Sequence, residues 1–246
     1  MRKGNEKKPV VYSTSTFAAF AAVMTAATAV VTMVFQVYIP ATRGYFNLGE
    51  SMVYVSALLF GPVIGAFSGG VGSMLSDIST GYPIYAPGTL VIKGIEGLIV
   101  GSLSRRAKIV NSKNKENRRS TRALLVTAVF CIAIGVFLAI MGISGLTFSF
   151  LDSTFVIGPV TWVIISILAA ILVGYVISRF GGGGFILTLS MLAGGTAMVI
   201  GYFLYESPLF GIPAASVEVP FNIMQCVSGI VIALPIYRRV KQALNI

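Results

Sequence analysis

The most chemically distinctive pair in the chain is a base and an acid inside one apolar segment, Lys93 and Glu96. Three positions apart, both side chains lie on one face of a helix and partly neutralise each other. Ionisable groups at membrane depth are costly, so they are functional-site candidates by default. The pair therefore either forms a structural ion pair or faces a solute cavity. Gly94 and Gly97 beside it would let a ligand or another backbone approach closely.

Amide, carboxylate and phenol side chains recur in segments predicted to share one side of a membrane. Asn and Gln both donate and accept hydrogen bonds, and Tyr stacks on aromatic rings, so such groups suit a pocket for a small polar aromatic solute. The predicted contacts are Tyr45, Asn47, Glu50, Tyr82, Tyr85, Lys93, Glu96, Asn222 and Gln225. Each Tyr is alternatively an interfacial anchor. Asp77 is either an ordinary polar helix end or part of the rim of this pocket.

The chain contains few of the residue types that usually support catalysis. There is no His, and the two Cys, Cys131 and Cys226, lie in different apolar runs, where they form neither a zinc site nor a disulfide framework. We therefore expect no enzyme, no metal and no cofactor. The alternative is an intramembrane lipid-modifying enzyme with Lys93, Glu96 and Asp77 as acid–base groups, which would lack a nucleophile–base pair.

Basic and acidic residues are sorted into different segments. Of the 18 Lys and Arg, all but Arg43 and Lys93 fall at the N-terminus, within 105–122, at Arg179 or at the C-terminus. Loops rich in Lys and Arg stay in the cytoplasm, so the net charge of +10 indicates topology. Nucleic acid is not an expected partner, because the basic residues flank apolar helices and no aromatic residues lie among them.

The composition and the apolar runs predict an all-α polytopic membrane protein. The chain is 56% hydrophobic and 11% charged, whereas soluble domains carry roughly 25% charged residues. The predicted spans are 16–39, 50–60, 62–78, 89–103, 123–142, 155–177, 185–205 and 221–237, with 206–220 as an outer loop. This is a single domain over 1–246, a bundle of about eight helices with both termini cytoplasmic, in the cell membrane.

A stripe of small residues runs along the first predicted helix. Ala18, Ala22 and Ala26 recur at a four-residue spacing. Such a stripe lets a second helix approach closely. The second helix belongs either to this chain or to a partner protein.

Two segments carry a family resemblance. Residues 44–50 read GYFNLGE, and residues 57–66 read ALLFGPVIGA. They resemble the first loop and the turn between the second and third helices in the substrate-binding S components of energy-coupling factor (ECF) vitamin transporters, closest to the riboflavin-type group. The likeness covers roughly 15–105 and 184–242, a six-helix core, and leaves 123–178 as an inserted helical hairpin.

The resemblance implies a high-affinity vitamin-binding protein without an ATPase of its own. It also implies a membrane-embedded coupling subunit that contacts Ala18, Ala22 and Ala26 and, through that subunit, two ATP-binding subunits. Riboflavin, a pyridoxine-like compound and the thiamine pyrimidine precursor all suit the predicted pocket. A stand-alone secondary carrier is a further alternative, although the two related halves often found in carriers are not evident.

Overall fold

The computed structural model describes residues 13–113, 146–150, 153–157, 164 and 184–243. The helices are α1 (Thr14–Val34), α2 (Glu50–Phe60), α3 (Pro62–Ser79), α4 (Ala86–Lys113), α5 (Gly184–Phe210) and α6 (Ile212–Ala243). The strands β1 (Gln36–Ile39) and β2 (Gly44–Asn47) form one antiparallel hairpin, and β3 (Leu146–Phe150) and β4 (Ser153–Ile157) form another.

The first predicted helix is too long. Ser13 caps α1 by accepting a hydrogen bond from the backbone N–H of Thr16 at 3.2 Å, and the helix ends at Val34. The next four residues belong to β1, which pairs with β2. Ile39 precedes Pro40, and a residue before proline avoids helical backbone angles. The turn between the strands is completed by Arg43 at φ 57°.

A glycine seam joins α3 to α4. A Cβ on Gly97 would overlap the carbonyl of Gly65, and one on Gly70 would lie 2.6 Å from the carbonyl oxygen of Leu90. Small residues of this kind let two helix backbones approach closely. The close approach predicted at Gly97 is therefore made by a backbone, and the seam fixes the face of α4 that carries Lys93.

The short α2 and the turn after it are confirmed. The helix spans Glu50–Phe60 as predicted, and Gly61 turns the chain at φ 89° before Pro62 opens α3. Glycine adopts this backbone conformation without steric cost, and proline is well suited to the first turn of a helix. Arg105 packs over the turn, and its Nη2 donates a hydrogen bond to the carbonyl of Phe60 at 2.8 Å.

The predicted outer loop at 206–220 is wrong. Only Gly211, at φ 87°, separates α5 from α6. Its acids and prolines suggested a loop, yet Pro213 lies in the first turn of α6, where the missing N–H costs nothing. Pro220 lies inside α6. Both helices are consequently longer than predicted.

The predicted insertion at 123–178 lies mostly outside the described residues. Within it the structure describes β3, β4 and Ile164. Residues 155–157 belong to β4, so the helix predicted over 155–177 does not begin at Phe155.

Four described helices are long and apolar enough to cross a membrane, namely α1, the part of α4 at Ala86–Arg106, α5 from Ile186, and α6. Large apolar side chains such as Val23 and Leu204 are exposed on the bundle surface, as expected of a surface that faces lipid. The buried core includes Tyr54, Met191 and Ile230. The chain is therefore built as a helical membrane protein.

Candidate functional site

The β1–β2 hairpin and the α3–α4 turn meet at one end of the bundle, which we call the hairpin end. The β1–β2 hairpin lies against the α3–α4 turn, where the Tyr85 hydroxyl donates a hydrogen bond to the Thr42 carbonyl at 2.9 Å. The Tyr205 hydroxyl of α5 donates to the carbonyl of Ile84 in the same turn at 2.6 Å. The Gly61 turn and Arg105 mark the opposite end of the bundle.

A cavity lies beneath this hairpin. It is lined by Thr32, Gly44, Tyr45, Asn47, Ser73, Asp77, Tyr85, Thr89, Lys93, Tyr202, Glu206, Glu218, Asn222 and Gln225. The space that the centre of a water molecule can occupy is about 30 Å³. One water needs roughly 10–15 Å³ of such space. The cavity is thus polar, and narrower than a vitamin.

A buried triad of charges, Glu50–Lys93–Glu96, lies at the cavity floor. Lys93 Nζ forms an ion pair with Glu50 and another with Glu96 Oε2 at 3.0 Å. All three side chains are at most 3% exposed. A buried charge is tolerated only when paired and hydrogen-bonded, so the triad is a structural unit. Lys93 also lines the cavity, and both roles foreseen for it are compatible with this geometry.

Neighbouring helices add polar contacts to the triad, although Glu50 Oε1 has no hydrogen-bond partner among the described residues. The Tyr54 hydroxyl lies 3.3 Å from Glu96 Oε1 and 3.3 Å from the Cys226 sulfur, and Gln225 Nε2 lies 3.4 Å from Glu50 Oε2. A Cβ on Gly229 would lie 2.6 Å from Glu50 Cγ, so glycine at this point of α6 makes room for the carboxylate. The triad is therefore held by α2, α4 and α6 together.

A second set of acids, Asp77, Glu206 and Glu218, lines the cavity above the triad. We call them the cavity acids. Each is at most 4% exposed. Asp77 Oδ1 accepts a hydrogen bond from Tyr45 at 2.5 Å, and Glu218 accepts one from Thr42. Within the described part of the chain, Asp77 Oδ2 and Glu206 Oε2 have no hydrogen-bond partner.

Tyr45 closes the cavity from the hairpin side. Burial, with the nearby Asp77 as a smaller cause, raises the pKa of the Tyr45 phenol far above its ordinary value. The hydroxyl therefore stays protonated and donates to the carboxylate. The Tyr82 ring lies with its centroid 4.4 Å from that of Tyr45. The two rings cover the outer face of the cavity.

The hairpin is also attached to α6. The backbone N–H of Asn47 donates to Gln225 Oε1 at 3.2 Å. At Gly44, a Cβ would lie 2.5 Å from Glu218 Oε1 and 2.9 Å from the Tyr85 hydroxyl. A larger residue there would have to displace the Glu218 carboxylate and the Tyr85 hydroxyl. The resemblance to S components rested partly on this glycine.

A family model described as ECF-type riboflavin transporter, S component, matches residues 12–158 and 124–242. The chain belongs to this family. The suspected family is therefore confirmed, and the long apolar helices agree with a membrane protein.

A curated relative extends the comparison to an archaeon. A Pyrococcus woesei protein described as "Uncharacterized protein in gap 3'region" is 53% identical over 79 residues. The match covers 32% of this chain and 53% of that protein, so the chain spans about half the length of the relative it matches.

Most of the predicted contact residues of this S component meet in one place. Those lining the cavity are Tyr45, Asn47, Tyr85, Lys93, Asn222 and Gln225. Glu50 and Glu96 lie beneath Lys93 in the triad, and Tyr82 stacks on Tyr45 without lining the cavity. Their role in binding a solute stays a prediction.

The predicted contacts omitted seven polar residues that line the cavity. They are Thr32, Ser73, Asp77, Thr89, Tyr202, Glu206 and Glu218. The sequence held a signal for some of them, because Glu218, Asn222 and Gln225 are spaced four and three residues apart, on one helix face. Placing Pro220 at the end of an outer loop hid that pattern. Asp77 had been considered as an ordinary helix end, as part of the rim, or as an acid–base group of an enzyme, but was not among the predicted contacts.

The alanines of α1 lie outside this site. Ala18, Ala22 and Ala26 are exposed, whereas Ala21 and Ala29 of the same helix are buried. One of the two predicted roles of the stripe was packing against another helix of this chain. Within the described residues, these alanines do not pack in that way. Contact with a coupling subunit stays a prediction.

Proposed function

We propose that this S component binds a small water-soluble vitamin or vitamin precursor in the cavity beneath the hairpin and delivers it to an ATP-driven ECF module. The observation that carries this proposal is the cavity itself. Its lining unites amide, phenol and carboxyl groups from β2, α3, α4, α5 and α6 at one end of the bundle. Ligand sites are typically concave and carry a few convergent polar groups of this kind.

The hairpin acts as the lid of this site. The cavity is too narrow for a vitamin, so entry requires the lid to move. The hydrogen bonds that attach it are few: Tyr45 to Asp77 and Ser76, Thr42 to Glu218, the Asn47 N–H to Gln225, the Tyr85 hydroxyl to the Thr42 carbonyl, and Gln36 to Thr80. A net hydrogen bond contributes only about 0.5–1.5 kcal/mol, so the lid can open at a moderate cost.

Delivery requires partners. The hairpin end faces the outside of the cell in a multi-pass plasma-membrane protein, and both termini face the cytoplasm, in agreement with the sorting of basic residues. The exposed alanines of α1 contact the membrane-embedded coupling subunit, which two ATP-binding subunits drive. The chain itself lacks the Gly-x-x-x-x-Gly-Lys-Ser/Thr motif of P-loop ATPases.

Binding can be tested on the detergent-purified chain. Mass spectrometry identifies the small molecule that co-purifies, and titration calorimetry measures its affinity. Asn222→Leu removes an amide from the cavity at similar volume and should weaken binding about tenfold, the equivalent of one lost hydrogen bond. Ser216→Ala is the matched control, since this residue lies on the same helix outside the cavity lining.

Two results would contradict the proposal. Unchanged affinity in Asn222→Leu would remove the cavity as the binding site. Flux of the solute into liposomes that contain this chain alone would instead indicate a stand-alone secondary carrier.

A further inference from the structure

The charges around the cavity do not balance. Lys93 is the basic side chain among the described cavity-lining residues, and it is already paired with both Glu50 and Glu96. Arg43, in the turn of the hairpin, is exposed and does not line the cavity. The three cavity acids therefore have no cation of their own within the described residues.

Two of these acids present unused acceptors. Asp77 is 3% exposed and Glu206 is 2% exposed. Asp77 Oδ2 and Glu206 Oε2 lack a partner among the described residues, although both side chains line the cavity. An isolated buried carboxylate is strongly unfavourable, so it must take up a proton or acquire a cation. A solute in the cavity is the group positioned to supply that cation.

We propose that the solute bound by this S component carries a positive charge, as a protonated amine or a quaternary heterocyclic nitrogen, which lies among Asp77, Glu206 and Glu218. The inference rests on the proposed function and specifies the class of its substrate. An ammonium group donates hydrogen bonds to carboxylates, and such charge-assisted bonds are roughly twice as strong as neutral ones.

The aromatic lining favours the same class of solute. Tyr45, Tyr85 and Tyr202 all border the cavity. Cations are attracted to the faces of such rings within about 6 Å. The structure already contains one contact of this type, because Lys93 Nζ lies 5.9 Å from the centroid of the Tyr202 ring.

A neutral solute would fit this lining less well. Riboflavin, which the family description names, has no positive charge at neutral pH. Its binding would leave Asp77 and Glu206 to be neutralised by protons alone. The cavity acids thus distinguish this chain's substrate from the one in the family's description.

A matched pair of solutes tests whether the cavity prefers a positively charged solute. Pyridoxamine and pyridoxine differ only in a CH₂NH₃⁺ group in place of a CH₂OH group. Calorimetric titration of the purified full chain should give at least about tenfold tighter binding of pyridoxamine, the equivalent of one charge-assisted hydrogen bond. Thiamine, a quaternary cation, and neutral riboflavin extend the comparison to larger rings.

The same titrations on Glu206→Gln and Glu218→Gln locate the charge. Each change keeps the side-chain shape, and the amide oxygen at 218 can still accept from Thr42. Affinity for the cationic probe should fall about tenfold or more, whereas affinity for the neutral probe should change by less than about threefold. An equal loss for both probes would overturn the inference, because the acids would then support the fold rather than the charge.

The remaining outcomes separate this inference from the proposed function. Equal or tighter binding of pyridoxine or riboflavin overturns the inference that the solute is positively charged, but it leaves the proposal of vitamin binding intact. If none of the four probes binds, the co-purified solute decides. A cationic solute supports the inference, a neutral one overturns it, and the absence of any solute contradicts the proposed function itself.

Discussion

The Glu50–Lys93–Glu96 triad and the cavity acids are neighbouring groups of charges with opposite arrangements. In the triad one Lys is paired with two carboxylates, and Tyr54 and Gln225 add polar contacts. Around the cavity three carboxyl groups share two hydroxyl donors and no cation within the described residues. The charges of the triad are thus paired within the fold, whereas the cavity acids have no counter-ion among the described residues.

The positions of the two groups explain the difference. The triad is formed by α2 and α4 within the bundle, where an unpaired charge is strongly destabilising. The cavity acids come from the last turns of α3 and α5 and the beginning of α6, beneath the proposed lid. Uncompensated carboxyl groups would be tolerable there if opening of the lid, as proposed, admits water or a solute.

The largest effect is expected from Lys93→Met. It leaves Glu50 and Glu96 side by side without a counter-ion. Removing one partner of a buried pair costs about 3–5 kcal/mol, and we expect a loss of that size in the free energy of unfolding in mixed micelles.

Two further variants provide the control for Lys93→Met. The triple variant with Glu50→Gln and Glu96→Gln should recover most of the lost stability, whereas the double variant with Glu96→Gln alone should recover less, because Glu50 stays charged. A stable Lys93→Met single variant would show that the triad is not a structural unit.

A smaller effect is expected at the lid. Tyr45→Phe removes the donor to Asp77 Oδ1, a bond of 2.5 Å. Hydrogen bonds to charged groups contribute about 1.5–3 kcal/mol, and we expect a loss near the lower limit, because Tyr45 is only partly buried. Hydrogen exchange at residues 44–47 should also become faster. Tyr38→Phe, on the same hairpin with 53% of the residue exposed, is the control and should alter neither measurement.

Substitution of two glutamates, one from each group, should lower the free energy of unfolding by different amounts. Glu206→Gln removes a carboxyl group that has no ion-pair partner among the described residues, so the free energy of unfolding should change by less than about 1 kcal/mol. Glu50→Gln weakens the pairing with Lys93 and should cost clearly more. Both can be measured in the same unfolding assay. Equal losses in the two variants would erase the distinction between the triad and the cavity acids.

The elements differ in how far the sequence determines them. The boundaries of α2 and the Gly61 turn were predicted because Gly-Pro enforces a turn between two helices. The first hairpin was missed, since its residues continue the apolar run of α1 and the strand is recognised only from its pairing with Gly44–Asn47. Strand pairing depends on residues distant in sequence, which local hydropathy does not encode.

The site was predicted only in part, because several of its contacts also join residues that are distant in sequence. Lys93 and Glu96 were conspicuous as charges in an apolar helix, and their i,i+3 spacing correctly indicated a contact. Glu50 was selected, but its pairing with Lys93 joins different helices, and no pattern in the sequence indicated it. Glu206 and Glu218 were assigned to a loop, so their contribution to the cavity depended on the helical extension of α5 and α6.

The exposed alanine stripe of α1 is a surface that belongs to neither group of charges. Ala22 is exposed and does not line the cavity. Ala22→Leu should therefore leave unfolding and solute affinity unchanged. It should nevertheless abolish vitamin uptake in cells that contain the ECF module, because a large side chain prevents close helix approach. Val23→Leu, a change at a neighbouring exposed residue that is already large, is the control and should keep uptake. Normal uptake by Ala22→Leu would exclude this part of the stripe from the contact with the coupling subunit, and a loss of solute binding would mean that α1 supports the cavity from outside.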